Sequence, residues 1–164
     1  MGRRGPAPYP VAMSSDLVLW LFVITHSIAF GAGFYEQRVV LPLWFGAGEL
    51  RVDAAAMRAL DPGRKFWAFV STGPLTLLTV ASLILSWNTS GPRHDWWLGA
   101  ACVTLLERVA TFSYFIPTAI KLMRSDALPA AQSARMAARW RRLNHLRVGL
   151  SLFGWLAALK ALTS

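Results

Sequence analysis

The chain has 164 residues, of which 55% are hydrophobic and only 15% charged, with a formal net charge of +9. A soluble domain carries about a quarter of its residues as charges; here the charges gather in short segments, and the apolar stretches between them exclude an ordinary water-soluble fold. The basic excess flanks apolar runs and no zinc-finger or RNA-binding pattern accompanies it, so membrane orientation accounts for it and nucleic acid is not an expected partner.

Met1 to Ala12 is basic and rich in proline and glycine, and residues 1–15 are predicted to be a disordered tail, with Met13 as an alternative start. The apolar run that follows is too long for a signal-peptide core. It predicts a retained helix over 16–37. The link after Arg38 contains Val39-Val40-Leu41-Pro42-Leu43-Trp44, room for a short amphipathic helix near 54–60, and the turn Asp61-Pro62-Gly63. A second apolar helix is predicted over 66–87, kinked at Gly73-Pro74. The polar turn Asn88 to Asp95 makes the third helix, 96–120, its antiparallel neighbour. A basic link from Lys121 leads to Pro129, which suits a helix start. From there an unbroken pattern predicts a helix over 130–162, projecting beyond the bilayer. The lone Cys102 lies in an apolar run, leaves no disulfide or Cys-x-x-Cys chemistry, and reads as a small buried side chain.

A spanning helix needs about 20 mostly apolar residues. The expectation is therefore an all-α, four-transmembrane-helix bundle forming a single domain over 16–164. Orientation follows from the basic residues. Arg38, Arg51, Arg58, Arg64 and Lys65 in the first link and Lys121, Arg124, Arg135, Arg139, Arg141 and Arg142 in the third outnumber Arg3, Arg4, Arg93 and Lys160. This excess places both links in the cytoplasm and both termini on the non-cytoplasmic side.

Ionisable groups in mid-bilayer cost roughly 2.5–3.5 kcal/mol for Arg or Asp and default to function. His26 lies about 15 Å from the outer end of the first helix at 1.5 Å per residue, at the depth of Glu107 and Arg108 on the third. Thr104, Glu107, Thr111 and Tyr114 form one helical stripe; Asn144, Arg147, Ser151 and Gly154 form another; Thr72, Thr76 and Thr79 form a third. Together they predict a polar cavity open towards the cytoplasm. Near its mouth Tyr35, Glu36, Tyr114, Asn144, His145 and Arg147 reach similar depth, with Glu36 and Arg147 able to pair and Trp140 able to roof the opening. A packing role for the same residues stands beside the functional one, since Thr and Ser often bond to their own helix. No metal is expected: no Glu-x-x-His pair is present, and His26 and His145 lie at different depths.

Several stretches resemble the anthrone-oxygenase-like family of small four-helix membrane proteins: Gly31-Ala32-Gly33-Phe34-Tyr35-Glu36, Val40-Leu41-Pro42-Leu43-Trp44, Tyr114-Phe115-Ile116-Pro117, and Trp140-Arg141-Arg142-Leu143-Asn144-His145-Leu146-Arg147. The resemblance matches Tyr35, Glu36, Pro117, Trp140, Asn144 and Arg147, whereas His26 and Glu107 come from the depth argument. It implies oxidation of an anthrone by dioxygen with no assigned cofactor, so the expected activity is a cofactor-independent oxidation of a lipophilic anthrone-, phenol- or quinone-like molecule; the expected location is the bacterial inner (cell) membrane, as a multi-pass protein. The candidate chemistry assigns His26, Glu107, Arg108 and Tyr114 to catalysis, and Tyr35, Glu36, Thr111, Trp140, Asn144 and Arg147 to substrate. His26 is the expected base, tuned by Glu107, with Arg108 or Tyr114 on the oxyanion. Expected partners are the lipid bilayer and a lipophilic small molecule, with Gly31 and Gly33 offering a face for a homo-oligomer. Two alternatives remain: a non-catalytic accessory subunit or lipid- or quinone-binding protein, and a transporter.

Overall fold

Three prolines decide where the long helices change their winding. In the computed structural model, which describes residues 9–46, 52–59 and 66–164, every regular element is helical. α1 (Tyr9–Tyr35) passes through a wide π turn, Glu36–Val40, into α2 (Leu41–Phe45). After α3 (Ala54–Ala59), a π turn at Trp67–Thr72 enters α4 (Gly73–Ser86). α5 (Pro92–Ala110) passes through a π turn at Thr111–Phe115 into α6 (Ile116–Leu122). A 3-10 turn, Ser125–Ala127, precedes α7 (Ala130–Leu162). The α segment after each π turn has proline as its second residue: Pro42, Pro74 and Pro117.

The cause is local. Proline offers no N–H to the carbonyl four residues back, and its ring crowds that carbonyl. Widening the turn by one residue relieves the clash without ending the helix. In each case the residue before the proline reaches back five positions: Leu41 N–H to the Glu36 carbonyl, Gly73 to Ala68, and Ile116 to Thr111.

This winding corrects several expected boundaries. The helix expected over 16–37 begins at Tyr9 and continues to Phe45, so Val39 to Trp44 is helix rather than link. The third helix, expected over 96–120, runs from Pro92 to Leu122. It starts where Gly91 turns the chain at φ 74°, a conformation that glycine adopts without penalty. His94, expected in a loop, sits in the first turn of α5 with Nδ1 2.7 Å from the Ser86 carbonyl. The short helix expected near 54–60 is α3, capped by Asp53, whose Oδ1 accepts the Ala56 N–H at 2.8 Å. The helix expected over 130–162 is α7, unbroken. Residues 1–8 of the expected tail and the turn Asp61-Pro62-Gly63 lie outside the described residues.

α5 packs along α4 and α7, and α1 packs along the same two helices. An Asp16–Arg93 ion pair ties the start of α1 to the start of α5. At the other end, Arg58 Nη1 pairs with Asp126 at 2.9 Å and donates to the Met123 carbonyl at 2.6 Å. Among the described residues, three helical stretches are long and apolar enough to cross a membrane: Ser15–Phe45, Trp67–Ser86 and Pro92–Leu122. Asn144, His145 and Arg147 dilute the apolar half of α7. Phe69, Leu77, Ile84, Leu106 and Phe153 point outward, as lipid-facing side chains do. Cys102, expected to be buried, is on this exposed surface too.

The interior is layered. One apolar cluster joins Leu19, Phe22, Val23, Leu75, Trp97, Ala100, Ala157, Ala158 and Ala161. Another, towards the α3 end, joins Leu41, Trp44, Phe45, Met57, Phe115, Leu122, Ala137 and Trp140. In chain position several buried polar residues fall between these clusters: His26 on α1, Thr104, Glu107 and Arg108 on α5, Thr111 just beyond, and Asn144 and Ser151 on α7.

Candidate functional site

Helical periodicity brings Thr104, Glu107 and Thr111 onto the inner face of the third span, where all three are buried. The threonine hydroxyls are used locally. Thr104 Oγ1 donates to the Ala100 carbonyl at 2.7 Å and Thr111 Oγ1 to the Glu107 carbonyl at 2.8 Å. Thr76 and Thr79 do likewise to Thr72 and Leu75, each at 2.6 Å. These hydroxyls therefore satisfy their own helices, and the ionic groups carry the unspent polarity.

Glu107 and Arg108 are each only 6% exposed. Arg108 Nη2 donates to Glu107 Oε1 at 2.7 Å, so two consecutive side chains fold towards each other as an ion pair. Glu107 Oε2 and Arg108 Nε have no hydrogen-bond partner among the described residues. Both side chains line a cavity with Thr111, Arg147 and Ser151, walled by Phe30 and Gly33 of α1 and by Trp67, Ser71 and Thr72 of the second span. The space open to the centres of water-sized molecules amounts to about 40 Å³. One water needs about 10–15 Å³ on that measure, so the cavity holds a few waters or a diatomic gas rather than fused rings.

His26 is fully buried, and neither ring nitrogen has a partner among the described residues. Phe22 backs it at 5.4 Å between centroids, and Arg108 is near enough for its charge to bear on the ring. His26 does not line the cavity; it stands about one turn along α1 from Ala29 and Phe30, which do. Of the three candidates drawn from the depth argument, Glu107 and Arg108 hold the cavity wall, and His26 stands outside it.

The Glu36–Arg147 pairing expected from depth is present: Arg147 Nη2 lies 3.1 Å from Glu36 Oε2, with both side chains largely buried. The guanidinium carbon of Arg147 also sits 4.7 Å from the Phe115 ring centroid, a cation–π contact that holds the charge where α1 and α7 meet.

Other candidates are placed elsewhere. Tyr35 is 60% exposed and faces outward, because its helix continues past it instead of turning at a cavity mouth. Trp140 roofs nothing; it is buried in the second apolar cluster and donates Nε1–H to the Phe115 carbonyl at 3.2 Å. Tyr114 packs edge-on against Phe115 with Arg139 over its ring, away from the cavity lining. Asn144 is fully buried with both amide atoms unpartnered among the described residues, yet it does not line the cavity. Gly31 has open space around it while Gly33 faces Val148; two residues apart on a helix, they do not share a face for an oligomer. His145 is exposed, with Nδ1 against Gln37 Nε2.

Trp67 and Ser71 are lining residues that sequence reasoning missed. Trp67 reads as an interfacial aromatic, and Ser71 forms no stripe with the threonines of its helix. The available signal was the Gly73-Pro74 kink, which widens the winding just before it and turns this stretch inward. Among the described residues, no three His, Cys, Asp or Glu side chains gather as metal ligands.

The sequence profile of the family described as anthrone oxygenase matches residues 66–157, more than half of the chain. The match covers the cavity residues of the second span, α5 and α7 and leaves α1 with His26, and the π turn with Glu36, outside it. No protein of curated function and no solved structure matches the chain.

Proposed function

We propose, from the premise that this chain belongs to the anthrone oxygenase family, that it is a multi-pass oxygenase of the bacterial inner membrane. In this reading the chain crosses the bilayer four times, with both termini on the non-cytoplasmic side, and oxidises a lipophilic anthrone- or phenol-like molecule drawn from the lipid. Three apolar spans and the length of α7 support the crossings, and the arginines of the first and third links support the orientation. A C-terminal reporter active only in the cytoplasm should stay silent; a bright one overturns the topology.

The observation that carries the chemistry is Glu107 Oε2, a carboxylate oxygen without a partner among the described residues, on a cavity wall that Arg108, whose Nε is likewise unpartnered among them, also lines. An anthrone carries a weakly acidic CH2 whose loss of a proton yields an aromatic oxyanion. Glu107 Oε2 takes that proton, and Arg108 with Arg147 stabilises the oxygen where the negative charge develops. His26, one turn along α1 from the cavity lining, is the onward proton acceptor. The carbanion gives one electron to dioxygen, the radical pair combines as a peroxide, and loss of water leaves the carbonyl. Overall, a CH2 group and O2 become C=O and H2O, with no other reductant. The substrate rings rest against Phe30 and Trp67 while the reacting edge and dioxygen share the small cavity.

A second reading is favoured by the cavity's size and by the two internal ion pairs: a non-catalytic binding or accessory protein whose polar layer fixes helix packing. Purified protein in lipid nanodiscs, given an anthrone and followed by oxygen uptake and quinone absorbance, separates the two. Glu107→Gln should lower turnover by about 10²–10⁴, the range for losing an acid–base group. Equal turnover by the variant and the parent rejects the oxygenase mechanism.

A further inference from the structure

We infer that Gly154 is a positioning residue that seats the His26 imidazole against α7, an assignment that rests on the reading of the polar layer as the reacting site. Beyond Asn144 the buried residues of α7 are all small: Ser151, Gly154, Ala157, Ala158 and Ala161. Alanine serves at three of these places, but at 154 even a methyl group has no room. A Cβ built there would lie 2.9 Å from His26 Cε1, 3.2 Å from Thr104 Oγ1 and 3.6 Å from His26 Nε2. Carbon atoms pack best at about 3.5–4.0 Å, so the ring edge occupies the space a side chain would take.

The ring has little room to retreat. Phe22 backs it, tilted at 60°, and Thr104 is pinned to the Ala100 carbonyl. α1 contributes the histidine, α5 the threonine and α7 the notch, so three helices meet at one ring. The notch holds the imidazole one turn along α1 from the cavity residues Ala29 and Phe30, and both ring nitrogens are without partners among the described residues. A ring merely filling a core would be served equally well by an alanine-lined groove and a smaller side chain.

The test uses the full chain in nanodiscs with 13C-labelled histidine, the His26 signals being identified by their loss in His26→Asn. Gly154→Ala should move the His26 ring signals while leaving those of His94 and His145 in place, lower kcat at least tenfold, change KM less than twofold, and shift the pH profile of turnover. Gly149→Ala, at an exposed site with nothing within 4 Å of the added methyl, should change none of these. In the parent protein, the His26 Hε1 proton should show a nuclear Overhauser contact to the Gly154 α-protons, a measurement that does not depend on the variant folding. Absence of that contact, or unmoved His26 signals in Gly154→Ala, overturns the seating. Full turnover by His26→Asn instead overturns the part given to His26 in the reaction, and the Overhauser contact alone then decides whether Gly154 seats the ring.

Discussion

Cutting the Glu36–Arg147 pair one partner at a time tests whether the polar layer is held together by charge. The two side chains come from α7 and the π turn after α1, meet at 3.1 Å, and are only 12% and 15% exposed. Removing one member of a buried pair leaves the other charge without compensation, typically a loss of 3–5 kcal/mol. The two single variants should nevertheless differ. In Glu36→Gln, Arg147 keeps the Phe115 ring at 4.7 Å, a contact worth about 0.5–2 kcal/mol, and the glutamine can still accept a hydrogen bond. In Arg147→Met the carboxylate keeps nothing comparable. We therefore expect Arg147→Met to cost about 3–5 kcal/mol and Glu36→Gln about 1–2 kcal/mol less than that. The double variant should recover most of the loss, because neither charge is left buried alone. Reversible unfolding in mixed micelles, run as a double-mutant cycle, reads the coupling directly. Strict additivity, within about 0.3–0.5 kcal/mol, would refute the argument and make the pair a contact without energetic weight.

Other perturbations follow from single contacts. Trp140→Phe keeps the ring in the second apolar cluster but removes the donor to the Phe115 carbonyl, and should lower unfolding stability by about 1–2 kcal/mol. Gly73→Ala sets helix propensity, a gain of about 1 kcal/mol, against a new Cβ 2.8 Å from the Ala68 carbonyl oxygen. Because that oxygen is backbone and already bonded within the π turn, overpacking of about 1–3 kcal/mol should win, and a stabilised variant would contradict the account of the π turn. His26→Leu removes two unpartnered ring nitrogens from the interior. It should raise stability by about 1 kcal/mol while lowering turnover, whereas loss of both or of neither would contradict the role given to the histidine. Arg58→Ala breaks an exposed pair with Asp126 and should change stability by no more than about 1 kcal/mol.

What was legible in the sequence follows from the price lipid sets on charge. Glu107 and Arg108 could be assigned to an inner face because the outer face would leave them in hydrocarbon, and counting residues along two helices was enough to pair Glu36 with Arg147. The 3.6-residue period was enough to stack Thr104, Glu107 and Thr111. The same counting failed where the period itself changes. A π turn adds a residue within a helix, so positions after Pro42, Pro74 or Pro117 rotate away from the face that a uniform helix predicts. Tyr114 lies within such a turn and is carried off the stripe it shares with Thr111 on an ideal helix. Trp67 and Ser71 lie within another and face the cavity unannounced. Tyr35 failed for a different reason: its assignment assumed that the first helix ended near Gln37, and the helix instead runs on to Phe45.

The layering also explains why the least apolar long helix can belong among the others. α7 carries Asn144, Arg147 and Ser151 on the face that also holds Gly154 and the alanines, so its polar groups are turned towards α1 and α5 while Leu146, Leu152, Phe153 and Leu156 are exposed. A mean over the helix hides this division; the face does not. Small residues on the inner face let the neighbouring helices approach closely, and close approach lets Glu36, Phe115 and His26 reach partners on α7 at contact distance. The ionic groups between the two apolar clusters are largely buried, so bulk solvent screens them little. Charges in such a layer interact more strongly than they would at a surface, so the arrangement that makes the polar layer costly to build also makes it electrostatically potent towards any oxyanion formed beside it.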